Sequence, residues 1–248
     1  MTPIIIANWK MNPVTLVKSK RDFEIIKQGV KYVKNVKTVV CAPFVFLSNL
    51  KPGSGLALGA QDCFYNDKGP FTGEISPVQL RNLKTEYVIL GHSERRKYLG
   101  ESTELVNQKI IAALAADIKV IFCVGSETEK PGKEIKYQLE KGLKNIKEKD
   151  FSKLIFVYEP VWAISTTKNK IIATPAQTTK GCLYMRNILK KIFNKKTAKE
   201  ARIIYGGSVD SKNIKGFLKE GKMAGGLVGA ASLNPYEFIR TVKEAAKA

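Results

Sequence analysis

The sequence predicts an α/β fold, a single closed (β/α)8 barrel, from three observations. Short runs rich in β-branched residues alternate with helical patterns along the whole chain. The runs are apolar throughout, which is typical of parallel strands covered by helices. Eight such units fit into 248 residues, a length at which α/β barrels form one domain. We therefore expect one domain over residues 1–248.

Each predicted element follows from its local pattern. The strands are expected at residues 4–8, 37–42, 56–61, 87–91, 119–124, 154–158, 202–205 and 226–228. A helix-like segment follows each strand, most clearly at residues 14–33, 103–116, 133–148, 175–193 and 235–246. Three helices are predicted to begin at a capping side chain followed by proline, namely Ser76-Pro77, Thr174-Pro175 and Asn234-Pro235.

The formal net charge of +20 raises the question of a nucleic-acid or polyanion partner. Between residues 180 and 202, Glu200 is the only acid among eight basic residues. Most basic residues are lysine, however, and no ladder of aromatic residues is interleaved with them to form a stacking platform. We interpret the segment as the solvated face of an amphipathic helix and expect no nucleic-acid partner. Salt-dependent binding of random DNA through this face would support the alternative.

The four cysteines are widely spaced and form no Cys-x-x-Cys pair. This pattern argues against a disulfide framework and against a zinc site, and it favours a reducing cytoplasm. The apolar run at residues 4–7 is too short for a signal peptide, and no run approaches membrane-spanning length. We therefore expect no membrane partner.

Chemistry in such a barrel lies at the carboxyl ends of the strands, so the informative residues directly follow each apolar run. The strand-end residues are Asn8, Lys10, Gln61, His92, Glu159, the run Gly206-Gly207-Ser208, and Gly229-Ala230. Residues distant in the chain are thereby predicted to meet at one mouth of the barrel.

Three of these side chains suit proton abstraction next to a carbonyl. Glu159 is a candidate general base, and its alternative role is a structural carboxylate paired with a lysine. His92 begins a helix, where the peptide dipole disfavours the imidazolium and leaves a neutral hydrogen-bond donor. Lys10 would supply a fixed positive charge to an enediolate or a bound anion. One histidine without clustered carboxylates makes a metal site improbable, so we expect no metal.

Five glycines in and around the last two strands allow a backbone to approach a phosphate closely, although tight turns would use the same residues. They are Gly206, Gly207, Gly225, Gly226 and Gly229.

Five motifs together resemble the triosephosphate isomerase family over essentially the full length of the chain. The motifs are residues 7–12 (ANWKMN), 71–76 (FTGEIS), 91–96 (GHSERR), 158–163 (YEPVWA) and 205–209 (YGGSV). The resemblance implies a TIM barrel that interconverts dihydroxyacetone phosphate and glyceraldehyde 3-phosphate without a cofactor.

The resemblance also implies residue roles. Glu159 would move the proton, His92 would polarise the carbonyl, and Lys10 with Asn8 would stabilise negative charge. Glu94 would support the lysine. The implied substrate-binding residues are Asn8, Lys10, Ser165, Ser208, Gly229 and Ala230.

The segment at residues 160–174 corresponds to the family's lid, which excludes water from the intermediate. Here the chain departs from the family, because Ser165 and Thr167 replace glycines and the stretch at residues 169–172 is longer. Ala230 and Ala224 are further departures, since they stand where a glycine and an aspartate are common.

The resemblance implies a homodimer as well. Residues 62–76 correspond to a loop that enters the neighbouring subunit, with Thr72 approaching the neighbour's Asn8 and Lys10. We expect Glu74 to pair with Arg95 across this interface.

From the residues alone, two alternatives to this activity stay open. One is a different phosphate-binding barrel, either another aldose-ketose isomerase or a lyase, and substrate profiling would separate it. The other is a catalytically inactive descendant of such an enzyme. The presence of the four expected catalytic residues, Glu159, His92, Lys10 and Asn8, disfavours it.

Overall fold

The computed structural model describes residues 1–128, 132–163 and 173–248. Its parallel strands close into a barrel in chain order, with every strand hydrogen-bonded to its sequence neighbours and the last strand to the first. The predicted (β/α)8 TIM barrel is confirmed. The strands are β1 Ile4–Asn8, β2 Lys37–Cys41, β3 Leu56–Ala60, β4 Tyr87–Leu90, β5 Lys119–Ser126, β6 Leu154–Pro160, β7 Arg202–Tyr205 and β8 Gly225–Val228.

The helices lie between the strands and after the last one. They are α1 Leu16–Val30, α2 Phe44–Leu47, α3 Pro77–Asn82, α4 Ser93–Leu99, α5 Thr103–Ala115, α6 Lys133–Gly142, α7 Pro175–Ile192, α8 Lys195–Glu200, α9 Ile214–Lys219 and α10 Pro235–Ala246. Short 3-10 helices occupy Glu148–Lys153, Val161–Ala163 and Ala230–Leu233. Within the described residues, no helix is both long enough and apolar enough to cross a membrane.

The capping residues begin the helices as predicted. Ser76 and Thr174 each accept a hydrogen bond from the backbone three residues on, and each forms a reciprocal capping box with a glutamine. The Asn234 side chain accepts from two backbone amides in the first turn of α10. These caps satisfy amides that the helix itself leaves without partners.

Two predicted helices are shorter than their apolar patterns. Helix α1 begins after Thr15, whose side chain accepts from the Lys18 amide, so the helix does not include residue 14. Helix α6 ends at Gly142 rather than at residue 148, and Asn145 then takes a left-handed backbone with φ of 64°. A left-handed residue cannot continue a right-handed helix, so the chain turns toward the next strand there.

The core has two parts, because strand side chains alternate between the two faces of the sheet. Ile4 and Ile6 belong to a cluster drawn mainly from the strands, which fills the barrel interior. Ile5 and Ala7 belong to a larger cluster that includes Trp9 and the buried helix residues. The strands are thus held from both sides, which fixes the positions of the residues at their carboxyl ends.

Candidate active site

His92 is the N-cap residue of α4, as the sequence predicts for a helix-starting histidine. Its ring Nδ1 accepts a hydrogen bond from the Glu94 backbone amide at 3.2 Å. A ring nitrogen that accepts carries no proton, so the proton of the neutral imidazole lies on Nε2. Nε2 lies 3.1 Å from Oε1 of Glu159. The buried imidazole therefore presents an N–H group next to a carboxylate.

Glu159 lies within strand β6 and not immediately after it, which corrects the predicted end of that strand. Both β5 and β6 run two residues further than expected, and Gly125 pairs with Glu159 in the extension. The carboxyl Oε2 accepts a hydrogen bond from the Ser93 amide at 3.0 Å. Oε1 is buried and accepts no well-aligned hydrogen bond from the described residues. One oxygen is thus held, while the other is available to a proton.

Lys10 follows β1 in a left-handed backbone conformation with φ of 54°. Its amide donates to Oδ1 of Asn8 at 3.0 Å. Its carbonyl accepts from Nε2 of Gln61 at 2.9 Å. Its ammonium group forms an ion pair with Glu94, and about a quarter of the side chain is exposed. The lysine is therefore held at its amide, its carbonyl and its charged end.

A small pocket joins the carboxyl ends of β1, β4, β7 and β8. Its lining residues are Asn8, Lys10, His92, Gly206, Gly207, Leu227 and Gly229. Gly206 lines this pocket, and a Cβ atom added to it would lie 3.0 Å from Glu159 Cγ. Glu159 therefore borders the pocket. The structure thus brings Asn8, Lys10, His92, Glu159 and Gly229 together.

Other predicted site residues lie nearby or elsewhere. Ser208 is near the pocket but does not line it, and its carbonyl accepts from the Asn213 side chain at 3.0 Å. Ala230 begins the last 3-10 helix and is also outside the lining. Thr72 is exposed on the loop before α3. Ser165 lies outside the described residues, as do Thr167 and most of the expected lid.

Arg95, expected to pair with Glu74 of a neighbouring subunit, has partners within its own chain. It pairs with Asp62 at 2.8 Å and with Glu101 at 3.2 Å. Lys109 joins the same two carboxylates and is itself buried. This buried ion cluster ties the loop at residues 62–76 to helices α4 and α5.

The sequence interpretation assigned no role to three residues that contact the central side chains. Gly125 pairs with Glu159, Gln61 donates to the Lys10 carbonyl, and Cys123 lies beside the Glu159 carboxylate. Burial, followed by the negative charge of Glu159, raises the pKa of the Cys123 thiol. The thiol therefore stays protonated next to the candidate base. The sequence marks Gly125 only as a glycine that follows the apolar run of the fifth strand. That signal does not indicate that Glu159 is the residue paired with it in the next strand.

The fold and this geometry define a class, an intramolecular isomerase built on a TIM barrel. The family model for triosephosphate isomerase matches residues 3–245. Triosephosphate isomerase from Caldanaerobacter subterraneus subsp. tengcongensis is 41% identical over 97% of this chain and 98% of its own length. The same shares of the two chains align with 41% identity to triosephosphate isomerase from Carboxydothermus hydrogenoformans. That from Lactobacillus delbrueckii subsp. bulgaricus is 39% identical over 97% of both chains.

The chain belongs to the triosephosphate isomerase family, and its function is that of a triose-phosphate isomerase. This result separates the chain from the other phosphate-binding barrels that the residues alone left open.

Proposed function

We propose that Glu159, His92, Lys10 and Asn8 carry the interconversion of dihydroxyacetone phosphate and D-glyceraldehyde 3-phosphate in this chain. The observation that carries the proposal is the 3.1 Å approach of His92 Nε2 to Glu159 Oε1. The Glu159 residue is 1% exposed, so its carboxylate is largely shielded from bulk water. A base and a hydrogen-bond donor at this separation can both reach a substrate of three carbons.

The reaction needs a proton to leave one carbon and to return to its neighbour. Glu159 takes the proton from C1 of dihydroxyacetone phosphate, and the electron pair of the broken C–H bond forms the enediolate double bond. His92 donates its Nε2–H hydrogen bond to the oxygen at which negative charge develops. His92 Nε2 gives its proton to the oxygen on C2 and takes the hydroxyl proton from the oxygen on C1, so the negative charge moves to the C1 oxygen. The Glu159 carboxylic acid then returns its proton to C2, and the C1–O bond becomes the aldehyde carbonyl of glyceraldehyde 3-phosphate. Glu159 ends in its original protonation state.

Lys10 and the strand-end glycines suit the phosphate group. The Lys10 ammonium supplies positive charge at the mouth, and a side-chain atom added at Gly229 would lie 3.7 Å from Lys10 Cε. Backbone amides near Gly229 and Ala230 and near Ser208 can therefore bind an anion together with the lysine. Ser165 of the lid is proposed to add a backbone amide. The Glu94 carboxylate keeps the Lys10 ammonium turned into the site.

The test is to shorten the base by one methylene group. Glu159→Asp withdraws the carboxylate by more than 1 Å, so kcat is expected to fall about a hundredfold or more. The KM and the inhibition constant of inorganic phosphate are expected to stay close to the parent values, because the phosphate loops are untouched. A coupled assay with glyceraldehyde 3-phosphate measures both constants. Turnover near that of the parent would remove the base assignment.

We also propose that the chain forms a homodimer through loops that follow β1 to β4, four neighbouring strands. These loops and the helices after them carry a concentration of exposed apolar side chains: Met11, Val14, Val17, Phe44, Val45, Phe71, Tyr98 and Leu99. Apolar groups exposed together on one side of a protein are typical of a subunit interface. Thr72 lies on the loop of this side and is proposed to approach Asn8 and Lys10 of a second copy.

A reducing cytoplasm is the compartment that we propose, with a role in glycolysis and gluconeogenesis. All four cysteines are free and buried. Unpaired thiols in a stable fold are typical of reducing compartments.

A further inference from the structure

Gln61 follows strand β3, two strands away from the lysine that it contacts. Its Nε2 donates to the Lys10 carbonyl at 2.9 Å and to the Cys41 carbonyl at 3.0 Å. Cys41 is the last residue of β2, the strand between them. The single carboxamide therefore links the ends of three neighbouring strands, and one of its two bonds goes to a candidate catalytic residue.

Lys10 needs such a contact because its backbone conformation is unfavourable. A φ of 54° is uncommon for a residue with a side chain, since Cβ then approaches the following carbonyl. Residues in such conformations persist only where their surroundings hold them. The Asn8 side chain holds the Lys10 amide, and Gln61 holds its carbonyl. The backbone conformation in turn decides where the ammonium group lies.

We propose that Gln61 is a positioning residue, which holds the Lys10 peptide in its left-handed conformation and so keeps the ammonium group over the anion site. Gln61 acts through Lys10 and not on the substrate. This inference rests on the proposed role of Lys10. It assigns to Gln61 a function in anion affinity, in addition to any contribution to stability.

The test replaces the carboxamide with a side chain of similar size that cannot donate. In Gln61→Met the KM for glyceraldehyde 3-phosphate and the inhibition constant of inorganic phosphate are both expected to rise about tenfold. The value of kcat is expected to change less, because the lysine charge acts on the phosphate in the ground state and the transition state alike. Gln61→Ala, which cannot overpack the site, should show the same division between KM and kcat.

A double-mutant cycle separates positioning from a structural role. In a Lys10→Met background, Gln61→Met should leave kcat/KM unchanged, because the charge that it positions is gone. Gln28→Met is the matched control, since Gln28 is exposed on α1 and its side chain bonds Glu24. That control should keep the parental KM and kcat.

Three outcomes would count against the inference. A folded Gln61→Met variant with a lower melting temperature and the parental KM would show a structural role only. An equal loss of kcat/KM with and without the Lys10 ammonium would show that Gln61 does not act through it. Both results require an active parent protein. A parent without isomerase activity would overturn the role of Lys10 itself, which is a different failure.

Discussion

Gly125 is the residue at which a single added methyl group should disturb the candidate base most directly. It pairs with Glu159 in the last part of the β5–β6 ladder. A Cβ atom at this position would lie 2.2 Å from the Glu159 carbonyl oxygen and 2.9 Å from Glu159 Cβ. Both contacts are to backbone or to the root of a side chain, so neither can be relieved by rotating a flexible end. Gly125→Ala must therefore move the Glu159 backbone.

The size of the movement sets the size of the effect. Ordinary contact between non-bonded atoms needs about 3.5 Å, so the Glu159 carbonyl must retreat by about 1 Å. A displacement of about 1 Å at a catalytic group can lower turnover about a hundredfold. Overpacking of this kind should also destabilise the fold by roughly 1–3 kcal/mol. We expect the inhibition constant of inorganic phosphate to change little, because Lys10 follows β1 and Gly229 follows β8, away from the disturbed ladder.

The measurement is kcat and KM by the coupled assay, with melting temperature and circular dichroism to establish that the variant is folded. Gly216→Ala is the matched control. A Cβ atom at Gly216 in helix α9 would meet only Pro175 Cγ, at an ordinary 3.4 Å. This control should keep full turnover and gain up to ~1 kcal/mol of stability from helix propensity. A folded Gly125→Ala variant with parental turnover would refute the argument that this contact positions Glu159.

Three further predictions concern assembly, thiol reactivity and pH. Light scattering at assay concentrations should show that Leu99→Glu is a monomer, and the coupled assay should show that its activity is low. Leu183→Glu, at a similarly exposed leucine on α7, should remain a dimer. A fully active monomer would contradict the proposed interface. Burial raises the pKa of all four cysteine thiols, those of Cys41, Cys63, Cys123 and Cys182. A thiol-specific reagent should therefore label none of them in the native protein and all four after unfolding. Rapid labelling of any thiol in the native protein would contradict this prediction. Burial, opposed by Lys109 and reinforced by Glu101, raises the pKa of Asp62 from 3.8 to about 6. The folded state then binds more protons than the unfolded state between these values, so the stabilising contribution of this carboxyl is complete below about pH 4 and is lost as the pH rises through about 6. Asp62→Asn should accordingly raise the melting temperature, relative to the parent, more at about pH 8 than at about pH 4, and a difference independent of pH would exclude this shift.

The fold and the position of Asn8, Lys10, His92 and Glu159 at one mouth could be predicted from sequence for a physical reason. Apolar strands that alternate with helices report a covered parallel sheet, and the residue after each apolar run must lie at the same mouth. Asn8, Lys10 and His92 follow from that rule alone, and Glu159 does so to within the end of one strand. Where the chain ends a strand is less predictable, because the last pairs depend on the neighbour as much as on local composition.

The supporting contacts could not be predicted, because they depend on conformation and register rather than on residue type. The left-handed backbone of Lys10 has no local signal, since neither glycine nor asparagine occupies the position. Gly125 gains its importance only from the residue opposite it in β6. The sequence places Gln61 at the mouth but does not indicate that its two carbonyl partners follow or end two other strands. Each of these contacts needs three-dimensional positions of residues far apart in the chain.

The first turn of α4 explains why these contacts should behave as one unit. Its three consecutive residues each touch a central side chain: His92 and Ser93 contact Glu159, and Glu94 pairs with Lys10. The turn is thus fixed to residues from β1 and β6 at the same time, and a shift of the turn would move the donor, the base and the charge together. Substitutions within this set should therefore combine non-additively, because each one changes the position on which the others depend. The backbone amides of Ser93 and Glu94 hold the far sides of the Glu159 carboxylate and the His92 ring, and the two groups face each other across 3.1 Å between these contacts.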